Sequence, residues 1–262
     1  MNQGPDGEQR PSGTLNRLVT PGLGYLEFLA AKGDTPLAAQ HGQQLARYQG
    51  LHLLAFSSSD VPAEAPRLAE EGFRPLEPVD MRRDVATKNG VAEGRFSVLR
   101  VPPDAMPEGR VQWCGHHTPE LVWRPGLITH PNTAVALTGT VWVVEDLAEA
   151  LDRYRRFVRT PARIIADGVG VVGLTRGSLI FTTADAAQSL LPEIGIPTLP
   201  FGACVMVRVE DLRSAAKALT ANRVPFREKD DGILLAPSEA LGTWLLLHTG
   251  DQPFSFNTTP AK

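Results

Sequence analysis

Three times along this chain a short apolar, β-branched run ends at an aspartate and a helix-forming segment follows. The first is Leu53-Leu54-Ala55-Phe56-Ser57-Ser58-Ser59-Asp60-Val61, ahead of a helical composition that stops at Gly72. The second is Val141-Trp142-Val143-Val144-Glu145-Asp146-Leu147, and the third is Val205-Met206-Val207-Arg208-Val209-Glu210-Asp211-Leu212. Aspartate accepts hydrogen bonds from the unpaired N–H groups of a helix start, so each junction reads as strand, cap, helix. Leu147, Ala150, Leu151, Tyr154, Phe157 and Val158 recur at helical spacing, as do Leu212, Ala215, Ala216 and Leu219. Each set forms one apolar face. Gly72 and Asn222 stand where a left-handed residue would end the helix.

Strand patterns follow each helix. After the second come Arg163–Ala166, Val169–Leu174 and Ser178–Thr183, the last two joined by the hairpin-type turn Thr175-Arg176-Gly177. After the third come Phe226–Glu228, Gly232–Ala236 and Thr243–Leu247. The repeating unit is therefore βαβββ, a structural module too long for a solenoid turn. Near the start, Thr14–Val19 and Gly24–Leu29 read as the last two strands of such a unit. Residues 1–13 are too few and too polar to supply its first strand and helix. The expectation is three full modules and the tail of a fourth.

With 262 residues, 42% hydrophobic and 21% charged, the chain has enough apolar mass for a proper core. A net charge of −3 without a basic run argues against nucleic acid as the partner. Two cysteines, Cys114 and Cys204, make no disulfide framework, so a reducing, cytoplasmic setting is expected. The polar opening lacks the apolar core of a signal peptide, and no run approaches the ~18 apolar residues of a membrane span. Neither a GxGxxG nor a P-loop motif is present.

The βαβββ repeat resembles the vicinal oxygen chelate superfamily, which includes glyoxalase I, bleomycin-resistance proteins and extradiol dioxygenases. The resemblance is strongest to its glyoxalase-like domain group. It rests on GTLNRLVTPGLGYLEFLA near the start, GLHLLAFSSSD at 50–60 and WCGHHTPELVWRP at 113–125, and covers roughly residues 12–248. It implies an α+β fold of tandem βαβββ modules paired into two curved-sheet domains, the first lacking its opening strand and helix. The implied division is a polar segment 1–13, a first domain 14–125, a linker 126–134, a second domain 135–249 and a tail 250–262.

The resemblance also implies where a site would lie. Family members take up to four metal ligands from the first and last strands of paired modules. In the first domain the readable positions fall on Glu27, Leu53 (with His52 one residue off) and Glu120. In the second they fall on Gly139, Phe181, Cys204 and Leu246, of which only Cys204 could bind a metal, so none is expected there. Glu27 lies in an otherwise apolar strand, where a carboxylate needs a partner. Its bland alternative is solvent, or a bond to a neighbour such as Arg17.

The stretch Trp113–Trp123 gathers a thiol, two imidazoles and a carboxylate. If residues 116–123 form a strand, His116 and Glu120 share a face ~13 Å apart. That is too far to share one ion at ~2.0–2.2 Å ligand bonds. Cys114 could be activated by an imidazole, but a buried, inert thiol is the commoner fate.

Glu27, Glu120 and His116 are thus the expected catalytic residues, and Glu27 and Glu120 the expected metal ligands. His52, Ala55, Ser57, His117, Trp123 and Arg124 are expected to line a small-molecule site. The cofactor is either a divalent cation (Fe, Mn, Zn or Ni) or none. The leading function is a small-molecule enzyme of lyase, isomerase or dioxygenase type. The rival is a protein that binds and sequesters without catalysis, as drug-resistance members do. A third reading is a homodimer that covers the gap in the first domain.

Overall fold

The structure is a computed structural model that describes residues 2–3, 9–10, 14–230 and 232–250. The chain opens with two very short strands, β1 (Asn2–Gln3) and β2 (Gln9–Arg10). Two longer ones, β3 (Thr14–Val19) and β4 (Leu26–Ala31), form a two-stranded sheet of their own. The helix α1 (Pro36–Arg47) follows, an element the sequence patterns did not announce.

Three complete βαβββ modules come next. The first is β5 (Leu53–Ser57), α2 (Val61–Glu70), β6 (Val79–Thr87), β7 (Gly90–Arg100) and β8 (Arg110–His116). The second is β9 (Ala134–Val143), α3 (Leu147–Val158), β10 (Ala162–Ala166), β11 (Val169–Leu174) and β12 (Gly177–Thr182). A further unforeseen helix, α4 (Ala184–Leu190), precedes the third: β13 (Phe201–Val209), α5 (Leu212–Ala221), β14 (Arg227–Lys229), β15 (Gly232–Leu235) and β16 (Trp244–His248).

The three aspartates do what their positions require. Asp60 accepts from the Ala63 amide at 3.1 Å, Asp146 from Glu149 at 3.0 Å, and Asp211 from Ser214 at 2.8 Å. Gly72, at φ 85°, ends α2 as expected. At the end of α5 the left-handed residue is Arg223 (φ 56°) rather than Asn222. Asn222 instead caps through its side chain, which donates to the Ala218 carbonyl at 2.8 Å.

In every module the first strand runs parallel to the fourth, and the order across the sheet is first, fourth, third, second. The second and third modules join through antiparallel β9 and β13 into one eight-stranded sheet. The first module, extended by β1 and β2 beyond β6, makes a six-stranded sheet that ends at β5.

The chain divides into two compact units. Unit 1 comprises Met1–Val19, Glu27–Ala46 and His52–Pro125; unit 2 comprises Thr20–Leu26, Arg47–Leu51 and Gly126–Lys262. In unit 2 one sheet face packs under α3 and α5, with Tyr154 against Phe181 at 4.7 Å between ring centroids. The opposite face carries Val141, Ile180, Met206, Leu234 and Leu246, clustered with Ala187 and Leu190 of α4. No helix among the described residues is long and apolar enough to cross a membrane.

Candidate functional site

Strand alternation sorts the residues of unit 1 into two faces. β8 lies between β5 and β7. On one side, Leu54 and Phe56 of β5, Val111 and Trp113 of β8 and Leu99 of β7 are buried. This side packs on α2: Phe56 meets Trp113 at 5.6 Å, and Arg67 of α2 lies over the Trp113 ring at 5.5 Å. The other side of β8 presents Arg110, Gln112, Cys114 and His116. Opposite these in register stand Arg100, Val98 and Phe96 of β7 and Leu53, Ala55 and Ser57 of β5. Met81 and Arg83 of β6 continue the same face. Gly109 sets the start of β8 close to β5. At φ 150° a Cβ there would sit 2.3 Å from the His52 carbonyl oxygen.

This face, on which Val98, Gln112 and Cys114 are buried while Ala55 and Ser57 are exposed, is cationic. Arg110 donates from Nε to Gln112 Oε1 at 3.1 Å. Burial, and then the neighbouring Arg100, push Arg110 down to about 10, with Glu27 acting in the opposite sense. Arg100 reaches the Met81 sulfur at 3.8 Å, while its Nε is buried with no hydrogen-bond partner among the described residues. Arg83 lies over the Phe96 ring at 5.8 Å.

Two further groups bear on this face. Glu27, half-buried on β4, accepts from Asn16 Nδ2 at 2.6 Å, so its partner is Asn16 rather than Arg17. His41, buried on α1, sets Nδ1 3.2 Å from Gln44 Oε1. An amide oxygen can only accept, so Nδ1 carries the proton and Nε2 of the neutral ring keeps a bare lone pair. That Nε2 is buried without a partner among the described residues. Burial first, and then Arg110, lower the pKa of His41; the Gln44 bond and Glu27 oppose them. Arg110 and Glu27 thus bear on His41 in opposite senses, and Glu27 bears on Arg110.

The expected residues distribute as follows. β8 ends at His116, so the strand anticipated over 116–123 is absent. Pro119 instead starts the one-turn 3-10 helix Pro119–Leu121, on which Glu120 is exposed to solvent. His116 stays on the open face, 4.0 Å from the Cys114 sulfur and edge-on to Trp123 at 5.1 Å. Burial, Arg83 and His117, in that order, lower its pKa. Ala55 and Ser57 are exposed on the same face.

His117, the next residue after His116, points the other way and lies 2.6 Å from Ser97 Oγ. Ser97 in turn donates to Asp80 at 2.5 Å. The carboxylate holds the hydroxyl and not the imidazole, the reverse of what activates a serine nucleophile. His52, buried just before β5, also faces away from Leu53. Arg124 is committed to the backbone, donating to the Ala86 carbonyl at 2.7 Å.

A resident divalent cation does not fit these residues. Among the described residues no three His, Cys, Asp or Glu side chains converge. Glu120 lies outside the strand face. Burial, with Glu27 adding to it, pushes the Cys114 thiol up to about 12. In unit 2, Phe181 lies under α3, while Cys204 and Leu246 sit in the apolar cluster on the other face.

Sequence reasoning passed over Arg100, Arg110 and His41. One signal for the arginines was present: Arg110, Gln112, Cys114 and His116 alternate strictly with Val111, Trp113 and Gly115. His41 carried no such signal, because the helix that buries it was not read.

The chain matches the glyoxalase-like domain family over residues 2–158. No curated protein matches it. A solved structure of a hypothetical protein from Staphylococcus aureus is similar with a TM-score of 0.65 at 10% identity, covering 91% of this chain and 86% of that one. Methylmalonyl-CoA epimerase from Mycobacterium tuberculosis aligns at 17% identity and TM-score 0.36, over 47% of this chain and 93% of its own. A mutant 4-hydroxymandelate synthase from Streptomyces coelicolor aligns at 16% identity and TM-score 0.47, over 92% and 83%. With three βαβββ modules of identical strand order and a family match over more than half its length, the chain belongs to the glyoxalase-like domain family of the vicinal oxygen chelate superfamily.

Proposed function

We propose that the chain is a small-molecule enzyme of glyoxalase-like type. Its site is the open face of unit 1, and Glu27 takes and returns a proton there. The observation that carries this is the company Glu27 keeps. Its carboxylate is fixed by Asn16 and sits in the field of Arg110 and of a neutral, buried His41 with a bare Nε2. Removing a proton beside a carbonyl leaves negative charge on oxygen, and a guanidinium already in place stabilises that charge as it forms.

The test is deuterium exchange followed by NMR, with a panel of small carbonyl compounds in D2O. The native chain is expected to exchange one of them at carbon. Glu27→Gln should lose at least 100-fold of that rate with its fold intact. Exchange in Glu27→Gln at the native rate would refute the assignment. The sequestering reading draws support from Cys114 and Glu120, since a protonated thiol and a carboxylate off the face leave little acid–base equipment. Tight binding with no exchange in the native chain would favour it.

A further inference from the structure

We propose that Arg100 and Arg110 form a subsite for the anionic end of the ligand, a carboxylate or a phosphate. This rests on the reading that the open face of unit 1 holds a small molecule, and not on the proton chemistry assigned to Glu27.

Two other arginines removed from water in this chain are held by carboxylates. Arg153 is 7% exposed and grips Glu149 with two bonds, at 2.7 and 3.0 Å. Arg67 on α2 pairs with Glu64 at 2.6 Å. A guanidinium removed from water needs such a partner, because it stays charged and has five N–H donors to satisfy. Arg100 and Arg110 lack one. Neither makes an ion pair among the described residues. Arg110 spends one donor on Gln112, Arg100 has a thioether contact, and Arg100 Nε is orphaned. Glu27 is close enough to act on Arg110, but its carboxylate accepts its hydrogen bond from Asn16.

The two guanidiniums are also neighbours. Arg100 pairs with Gln112 across β7 and β8, and Arg110 lies two residues from Gln112 on the same face. Their charges repel, which is one cause of the lowered pKa of Arg110. An oxyanion between them would remove the repulsion and occupy the unused donors. Guanidiniums recognise carboxylates and phosphates through paired parallel N–H bonds. Arg83 faces the same side from β6, although the Phe96 ring holds it.

The experiment is calorimetric titration of the full chain at fixed ionic strength with malonate, inorganic phosphate and malonamide, the uncharged counterpart of malonate. At least one anion is expected to bind saturably at a single site, and malonamide is not. Malonate alone would assign a carboxylate, phosphate alone a phosphoryl group, and both a general oxyanion site. Arg100→Met and Arg110→Met should each weaken binding at least tenfold. Arg100→Lys, which keeps charge but loses the fork, should fall between. Arg163→Met, at an exposed position on β10, should change nothing. Glu27→Gln should keep anion binding whatever it does to exchange, so the two proposals fail separately. Malonamide binding as well as malonate, neither anion binding, or unchanged affinity in both folded methionine variants would overturn the subsite.

Discussion

The same module is loaded in opposite ways in the two units. In unit 2 the sheet face away from α3 and α5 holds Val141, Ile180, Met206 and Leu246, clustered with residues of α4. In unit 1 the face away from α2 holds Arg83, Arg100, Arg110, Gln112, Cys114 and His116. Strand order, the parallel first and fourth strands and the aspartate caps are shared. The backbone plan therefore does not decide what a face does. The identity of alternate residues on a few strands does, and one face becomes core while the other keeps cations in need of a partner.

The largest effect should come from treating the unit 2 face as though it were that of unit 1. Leu246 is 1% exposed and belongs to the apolar cluster. Leu246→Arg would bury a charge without a partner, and loss of the native fold is expected. Leu246→Ala should cost about 2–5 kcal/mol in urea unfolding, the transfer and cavity terms of a buried leucine together. A mild response to either change would mean that the two faces differ less than their residues say.

The converse change in unit 1 should go the other way. Arg110→Met removes a desolvated charge that has no ion-pair partner among the described residues and repels Arg100. Replacing a buried charge by an apolar side chain of similar volume is often neutral or stabilising, by up to about 1–4 kcal/mol. Arg110→Met should unfold at the same temperature as the native chain or higher, while losing ligand binding. A clear loss of stability would show that Arg110 serves the fold.

How much of this contrast was legible beforehand follows from what each signal encodes. Asp60, Asp146 and Asp211 announced the modules because a cap is a local device, complete within three residues of sequence. β3 and β4 were legible from their apolar runs. The helices α1 and α4 were not, since Thr35 and Thr183 begin them with threonine caps and no preceding strand–aspartate run. Missing α1 hid His41, and missing α4 hid the filling of the unit 2 face. Glu27 stood out as a charge in an apolar strand. Glu120 drew attention for the same reason, but Pro119 turns the chain out of the strand before it. Arg100 and Arg110 end and begin adjacent strands, and only the antiparallel register of β7 with β8 brings them together.

A smaller effect probes what the units share. Asp60 and Asp146 make equivalent cap bonds in unit 1 and unit 2. Asp60→Ala and Asp146→Ala should each cost about 1 kcal/mol. Equal losses in equilibrium unfolding would confirm that the modules differ in their faces and not in their frames. A loss confined to one of them would tie that cap to something beyond its helix.

The smallest effect concerns two buried histidines. His248 of unit 2 has both ring nitrogens engaged, with Thr138 at 2.7 Å and the Gly250 carbonyl at 2.8 Å. His41 of unit 1 has one engaged and one bare. Burial and Arg110 hold the folded-state pKa of His41 below its ordinary 6.5. Below about 6.5 the unfolded chain then binds a proton that the folded chain refuses, so stability falls with pH in that range and is unaffected by this group above it. Unfolding curves between pH 8 and 5.5 should diverge for the native chain and His41→Gln, the variant losing less stability on acidification. Parallel curves would mean that His41 takes its proton while folded. Its Nε2 would then be a donor in the folded chain.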